Sequence, residues 1–135
     1  ERVWVSRQNT KIRRESNFKD IKNVLDKYNF KIVVLEDLKY FDQVNIFLHT
    51  KILAGIQGAG LINMLFMKKG TKIIEVRSAS DNKNNCYFSL ASALKINYFY
   101  SHAHVNENYG GSHSGDYKVD VVELEKNLLN IINKN

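Results

Sequence analysis

Apolar positions along this chain fall into two alternating patterns. Short runs rich in β-branched residues have the length of buried strands: Val3-Trp4-Val5, Ile32-Val33-Val34-Leu35, Ile52-Leu53-Ala54 and Ile73-Ile74-Glu75-Val76, with Ile96 to Tyr100 as a fifth. Between them apolar residues recur at helical spacing, as in Phe18, Ile21, Val24, Leu25 and Tyr28, then Tyr87, Leu90, Ala91 and Leu94, and finally Val121 to Ile132. Phe41, Val44, Ile46, Phe47 and Leu48 predict a shorter helix. Strands are therefore expected at 2–7, 31–35, 51–56, 71–76 and 96–100, with Ser16 or Asn17 capping the first helix. Residues 106–116, with Gly110, Gly111 and Gly115, read as an exposed loop. Five strands alternating with helices predict an α/β fold: a parallel sheet with helices on both faces, joined by right-handed crossovers.

One junction stands out from this regular alternation. Ile52-Leu53-Ala54 runs into Gly55-Ile-Gln57-Gly58-Ala59-Gly60, an apolar helix is expected over 59–67, and the next strand follows Gly70. Glycines without a Cβ let a ligand approach the backbone, and they adopt positive φ at little cost. The first N–H groups of a helix lack partners within it and suit an anion such as a diphosphate. Ligands of parallel sheets bind beyond the carboxyl ends of the strands. Arg7, Gln57 to Gly60 and Arg77 all follow such ends in the predicted layout, and Arg7, Lys11, Arg13 and Arg14 form a basic loop beside them.

Composition narrows the classes. One domain over residues 1–135 is the reading, with 44% hydrophobic and 25% charged residues, as expected of a globular domain. The chain starts at Glu1 with a strand-like run, which predicts a domain of a longer protein. No apolar stretch reaches membrane-spanning length, so membrane association has no support in the sequence. Cys86 is the single cysteine, expected to pack at the start of its apolar helix, and a cytoplasmic setting is the simplest expectation. A net charge of +6 points to anionic partners.

Several motifs are excluded on spacing. Gly58-Ala-Gly60 lacks the third glycine of the dinucleotide fingerprint, and no Lys-Ser/Thr follows to make a P-loop. His102-Ala-His104, with His113 nearby, has no further ligand at metal-site spacing, so the histidines read as polar loop residues. Aromatic residues fall at core periods rather than as a stacking platform, so nucleic acid is not expected as a partner.

The chain resembles family 61 glycosyltransferases. The resemblance rests on Trp4-Val-Ser6-Arg7, Arg13-Arg14 with Asn17, Phe41-Asp-Gln43-Val44 leading to Phe47, Gly58-Ala-Gly60-Leu61-Ile-Asn63-Met-Leu65-Phe66-Met67, Gly70-Thr71-Lys-Ile-Ile-Glu75, and the late Asp116 to Asp120. It implies the Rossmann-like, donor-binding C-terminal half of a GT-B architecture, paired with an N-terminal domain of the same protein. It further implies inverting transfer from a nucleotide-sugar to a glycan or protein hydroxyl, with no metal ion and no cofactor beyond that co-substrate. Bacterial relatives often serve surface or capsular polysaccharide synthesis. On this reading the donor site comprises Arg7, Arg13, Arg14, Gln57, Gly58, Ala59, Gly60, Asn63 and Glu75, and the catalytic base lies in the other half. Asn63 would brace the turn or touch the donor. For Glu75 two readings stand open, binding ribose or sugar hydroxyls and bracing neighbouring backbone. The family usually has His where this chain has Gln57, and an acidic residue where it has Phe18. The first departure keeps a second reading in play, a non-catalytic nucleotide- or phosphate-binding module.

Overall fold

The computed structural model describes residues 1–81, 83–105 and 114–134. Six strands form one sheet: β1 (Arg2–Val5), β2 (Phe30–Val33), β3 (Ile52–Ile56), β4 (Lys72–Ser78), β5 (Asn97–Val105) and β6 (Tyr117–Val119), in the spatial order β2-β1-β3-β4-β5-β6. The helices are α1 (Phe18–Lys27), α2 (Tyr40–Leu48), α3 (Cys86–Leu94) and α4 (Val121–Asn133), with 3₁₀ segments at Leu35–Asp37 and Ala59–Phe66. The result is an α/β, Rossmann-like fold, with the first five strands parallel as the alternation predicts.

Period-two alternation splits the core into two layers. Trp4, Ala54, Ile56, Ile74 and Val76 face α1 and α4, meeting Ile21, Leu25, Leu124 and Leu128. Val3, Val5, Leu53 and Ile73 face the other way, onto Phe47 of α2, Leu61 and Met64 of the 3₁₀ segment and Ala91 of α3. Full burial of each large apolar side chain stabilises by roughly 1.5–3 kcal/mol, so both layers hold the sheet in place.

The sixth strand departs from the expected five, and it runs antiparallel to β5, with Ala103 opposite Val119. Three residues carry too little pattern to read as a strand, and tertiary contacts make it one. Asn17 donates from Nδ2 to the Val119 carbonyl (2.8 Å) and accepts from the Val119 N–H (3.0 Å). Ser16 N–H donates to the Tyr117 carbonyl and Tyr117 N–H to the Arg14 carbonyl. Asn17 does occupy the N-cap position of α1, but its side chain makes no capping bond because β6 has claimed it. Beyond this short strand the edge of β5 is covered by α4: His102 N–H donates to Glu123 and Asn127 donates to the Tyr100 carbonyl.

Residues 59–66 form a 3₁₀ rather than an α-helix. Leu61, Met64 and Met67 are buried at intervals of three, the 3₁₀ period, which lines them along one edge against β1 and β3. Two further placements differ from expectation. Cys86 is exposed, because α3 turns Ala91 rather than its first residue into the core. His102 and His104 lie on β5, not in a loop. The expected loop at 106–116 lies outside the described residues as far as 113, and His113 with it.

Candidate functional site

Strand order defines where a cleft opens. β1 has β2 on one side and β3 on the other, and the chain leaves β1 for α1 on one face of the sheet but leaves β3 for the 3₁₀ segment on the other, which parts the two loops at the carboxyl ends. Ser6 and Arg7 follow β1 there, and Gln57 to Gly60 follow β3, whose line is prolonged by Gln57 N–H donating to the Val76 carbonyl (2.9 Å).

The glycines of this turn serve close approach. Gly58 has φ 167°, an extended backbone open to any residue, so the expectation of positive φ is corrected here; its requirement is space. A Cβ on Gly58 would stand 2.8 Å from Nη1 of Arg7, and one on Gly60 2.8 Å from Cγ1 of Val5 and 3.3 Å from Cδ1 of Leu35. Hydrogen bonding in the 3₁₀ segment begins with Leu61 N–H to the Gly58 carbonyl (3.0 Å), which leaves the Ala59 and Gly60 N–H groups without acceptors inside the helix. Asn63 braces the turn by donating to the Gly60 carbonyl (2.9 Å).

Two arginines converge on the turn. Arg7 lies against Gly58 and donates from Nε to the Arg13 carbonyl (3.0 Å) and from Nη2 to the Ile12 carbonyl (3.3 Å). Arg13, in the left-handed region at φ 54°, donates from Nη1 to the Gln57 carbonyl (3.1 Å), while its Nε is buried without a hydrogen-bond partner among the described residues. Among the described residues neither guanidinium forms an ion pair. Burial, then the charge of Arg13, lowers the pKa of Arg7, and Glu36 and Glu15 oppose that shift. Two half-buried like charges held together are relieved by an incoming anion. Arg14 is directed elsewhere: its N–H donates to Asp116, and its guanidinium lies 3.8 Å from the same carboxylate on the exposed surface.

The cleft itself encloses about 290 Å³ and is lined by Val5, Ser6, Arg7, Leu35, Glu36, Gln43, Ala59, Gly60 and Asn63. Glu15, almost fully buried, braces the start of the Arg7 loop beside it. The carboxylate accepts from Trp4 Nε1 (3.0 Å), from the Arg7 N–H (3.1 Å) and from Gln8 Nε2 (2.8 Å).

Gln57 and Glu75 belong to a buried polar layer behind the turn. Gln57 is 4% exposed, and its amide donates to the Asn84 carbonyl at 3.4 Å. Glu75 is fully buried; Tyr98 donates its hydroxyl to Oε2 (2.5 Å), and Oε1 has no hydrogen-bond partner among the described residues. Burial raises the Glu75 pKa, against the pull of Tyr98, Arg77 and Gln57. Arg77 lies within β4 rather than after it, and donates to Asn85 Oδ1 (2.9 Å) and the Asn84 carbonyl (2.7 Å). Tyr87 stands half-buried nearby; burial raises its pKa and the charges of Arg13 and Arg7 lower it.

Glu15, Glu36, Gln43 and Tyr87 were not among the expected site residues; Gln43 figured only in the family pattern and Tyr87 only in the helical spacing. Glu36 carried a usable signal, since it directly follows the apolar run of β2, the rule that selected Arg7. Glu15 carried none, because its burial depends on the Trp4 indole reaching across from β1.

A larger depression of about 870 Å³ lies at the opposite, amino ends of the strands, beside Arg2, Lys51, Lys68, Lys69 and Lys72. Two of its cations are committed to backbone, Arg2 to the Tyr28 carbonyl and Lys72 to the Ile131 and Lys134 carbonyls. His102 is bound to Glu123 through Nδ1 (3.0 Å), and no three metal-ligating side chains gather among the described residues.

A Rossmann-like domain with a switch-point cleft, a glycine turn and convergent arginines defines a class of anion-suited, nucleotide-type folds. Within that class the chain belongs to glycosyltransferase family 61, whose model matches residues 1–74, from β1 through the glycine turn into β4. It is similar to the EGF domain-specific O-linked N-acetylglucosamine transferase of Drosophila melanogaster, 32% identical over an alignment of 109 positions that covers 73% of this chain and 21% of the relative. The proteins of the same name from Canis lupus familiaris and Mus musculus are each 29% identical over an alignment of 102 positions that covers 72% of this chain and 19% of theirs. The chain thus spans about a fifth of the length of these curated relatives.

Proposed function

We propose that this chain is the donor-binding part of a glycosyltransferase, and that its switch-point cleft takes the diphosphate of a nucleotide-sugar. The observation that carries this reading is the meeting of the Gly58–Gly60 turn with Arg7 and Arg13, two guanidiniums that lack carboxylate partners among the described residues. Negative charge grows on the leaving nucleoside diphosphate as an acceptor hydroxyl attacks the anomeric carbon. The Ala59 and Gly60 N–H groups and the Arg7 guanidinium, already fixed by the fold, stabilise that charge more in the transition state than in the ground state. Glu15 and Asn63 hold these donors in place.

The finer parts of the proposal rest on the family. They are inversion without a metal ion, a GT-B pairing with a second domain that supplies the base, and a role in polysaccharide synthesis; a cytoplasmic setting rests on the single cysteine, Cys86, instead. The relatives' names make N-acetylglucosamine the first sugar to try. A second reading, a non-catalytic nucleotide-binding module, draws on Gln57 standing where the family usually has His. Turnover by the protein with a matched donor and acceptor separates the two.

Calorimetric titration with a panel of nucleoside diphosphates tests the cleft. One or more is expected to bind, and Arg7→Ala to weaken that binding about tenfold or more, as loss of a charge-assisted hydrogen bond worth about 1.5–3 kcal/mol requires. Absence of binding by the folded protein would overturn the reading.

A further inference from the structure

The cleft that faces an anion also contains a carboxylate. Glu36 sits in the 3₁₀ turn just beyond β2, the strand that flanks β1, and lines the same cleft as Arg7, Gly60 and Asn63. Its side chain is exposed, and among the described residues it makes no hydrogen bond or ion pair. Its backbone, by contrast, is well fixed. Gln43 Nε2 donates to the Leu35 carbonyl (3.0 Å) and the Leu38 carbonyl (3.1 Å), and Ser6 N–H donates to the Val33 carbonyl (2.9 Å). Leu35 itself is wedged against Gly60, 3.3 Å from where a Cβ would stand. The backbone that carries this acceptor is thus held at a set place beside the phosphate-suited turn, and the carboxylate itself has no hydrogen-bond or ion-pair partner among the described residues.

We propose that Glu36 recognises hydroxyl groups of the donor, accepting their hydrogen bonds from the β2 side of the cleft. This rests on the donor-site reading above. An ionised carboxylate only accepts hydrogen bonds and repels phosphate, so the part of a ligand lying against Glu36 must be neutral and rich in donors. In a nucleotide-sugar that chemistry belongs to the ribose hydroxyls and to the hydroxyls of the sugar. The other carboxylates in this region are unsuited to the task, because Glu75 is fully buried and taken up by Tyr98, and Glu15 is buried and taken up by Trp4, the Arg7 N–H and Gln8. Glu36 therefore sets specificity: it disfavours bare phosphates and favours ligands that carry hydroxyls beside the diphosphate. A site built to pair a hydroxyl discriminates strongly against analogues that lack it.

The test titrates the unaltered protein and Glu36→Ala with inorganic pyrophosphate, a ribonucleoside diphosphate, its 2′,3′-dideoxy counterpart and a nucleotide-sugar. Glu36→Ala is expected to hold pyrophosphate as well as or better than the unaltered protein, and to hold hydroxyl-bearing ligands about tenfold less tightly. Ribose as the source predicts that the dideoxy ligand binds about tenfold less tightly to the unaltered protein and no worse to Glu36→Ala than to it. The transferred sugar as the source confines the loss in Glu36→Ala to the nucleotide-sugar. Equal changes for pyrophosphate and every other ligand, or no change at all, would overturn the assignment while leaving the anion cleft standing. Failure of the unaltered protein to bind any of the four would instead overturn the donor-site reading, and Glu36 with it.

Discussion

Gly58 and Gly60 lie two residues apart and forbid a side chain for different reasons. A methyl group on Gly58 meets the far end of the Arg7 side chain, which can swing aside; one on Gly60 meets Val5, a β-branched residue locked in the buried end of β1. Gly58→Ala is therefore expected to leave stability nearly unchanged and to weaken nucleoside diphosphate binding about tenfold by displacing the guanidinium. Gly60→Ala is expected to cost about 1–3 kcal/mol in urea denaturation, as overpacking does. Equal stability losses in the two variants would contradict this account of the turn. At this scale the sequence showed which residues gather but not which way each side chain turns. Arg13 and Arg14 look equivalent in the chain, and only the left-handed backbone at Arg13 sends one guanidinium to Gln57 and the other to Asp116.

Elements were legible where their apolar period was long, and less so where tertiary contacts decided. β1 to β5 and the four α-helices follow the hydrophobic pattern, with ends displaced by a few residues. The 3₁₀ segment was readable in principle from Leu61, Met64 and Met67, whereas β6 exists because Asn17 and the backbone of 14–16 grip it from across the chain. The polar layer between β3, β4 and β5 was not visible, since Glu75 looks like any charge in a strand until Tyr98 is placed beside it. That layer has a consequence for pH. Burial raises the folded-state pKa of Glu75 above its unfolded value, so the folded chain binds the proton more tightly. The stability this contributes is fully present at low pH and is lost as pH rises from about 4.3 through the higher folded value. Glu75→Gln stays neutral throughout, so its stability relative to the unaltered chain should rise over that window and then level off. Urea melts from about pH 4 to pH 7 check it; parallel curves would show that Glu75 is not the buried acid described.

For the molecule as a whole, strand order turns scattered residues into a site. Alternating strands and helices in the sequence imply a cleft beyond the carboxyl ends, but only the order β2-β1-β3 lines it with Arg7, Ala59 and Gly60 and brings Glu36 to the same cleft. The other basic depression, at the amino ends of the same strands, is three times as large and holds more lysines, so net charge and volume alone would favour it. Geometry favours the smaller cleft, where the fixed Arg7 guanidinium stands beside the N–H groups of the glycine turn; in the larger one Arg2 and Lys72 are taken up by carbonyls, and Lys51, Lys68 and Lys69 are exposed to solvent. The two places are told apart most directly by following backbone amide resonances while a nucleoside diphosphate is titrated into the protein. Shifts concentrated at Ser6, Arg7 and Gly58 to Gly60 are the predicted result. Shifts concentrated at Lys51 and Lys68 to Lys72, or none at saturating ligand, would contradict the account.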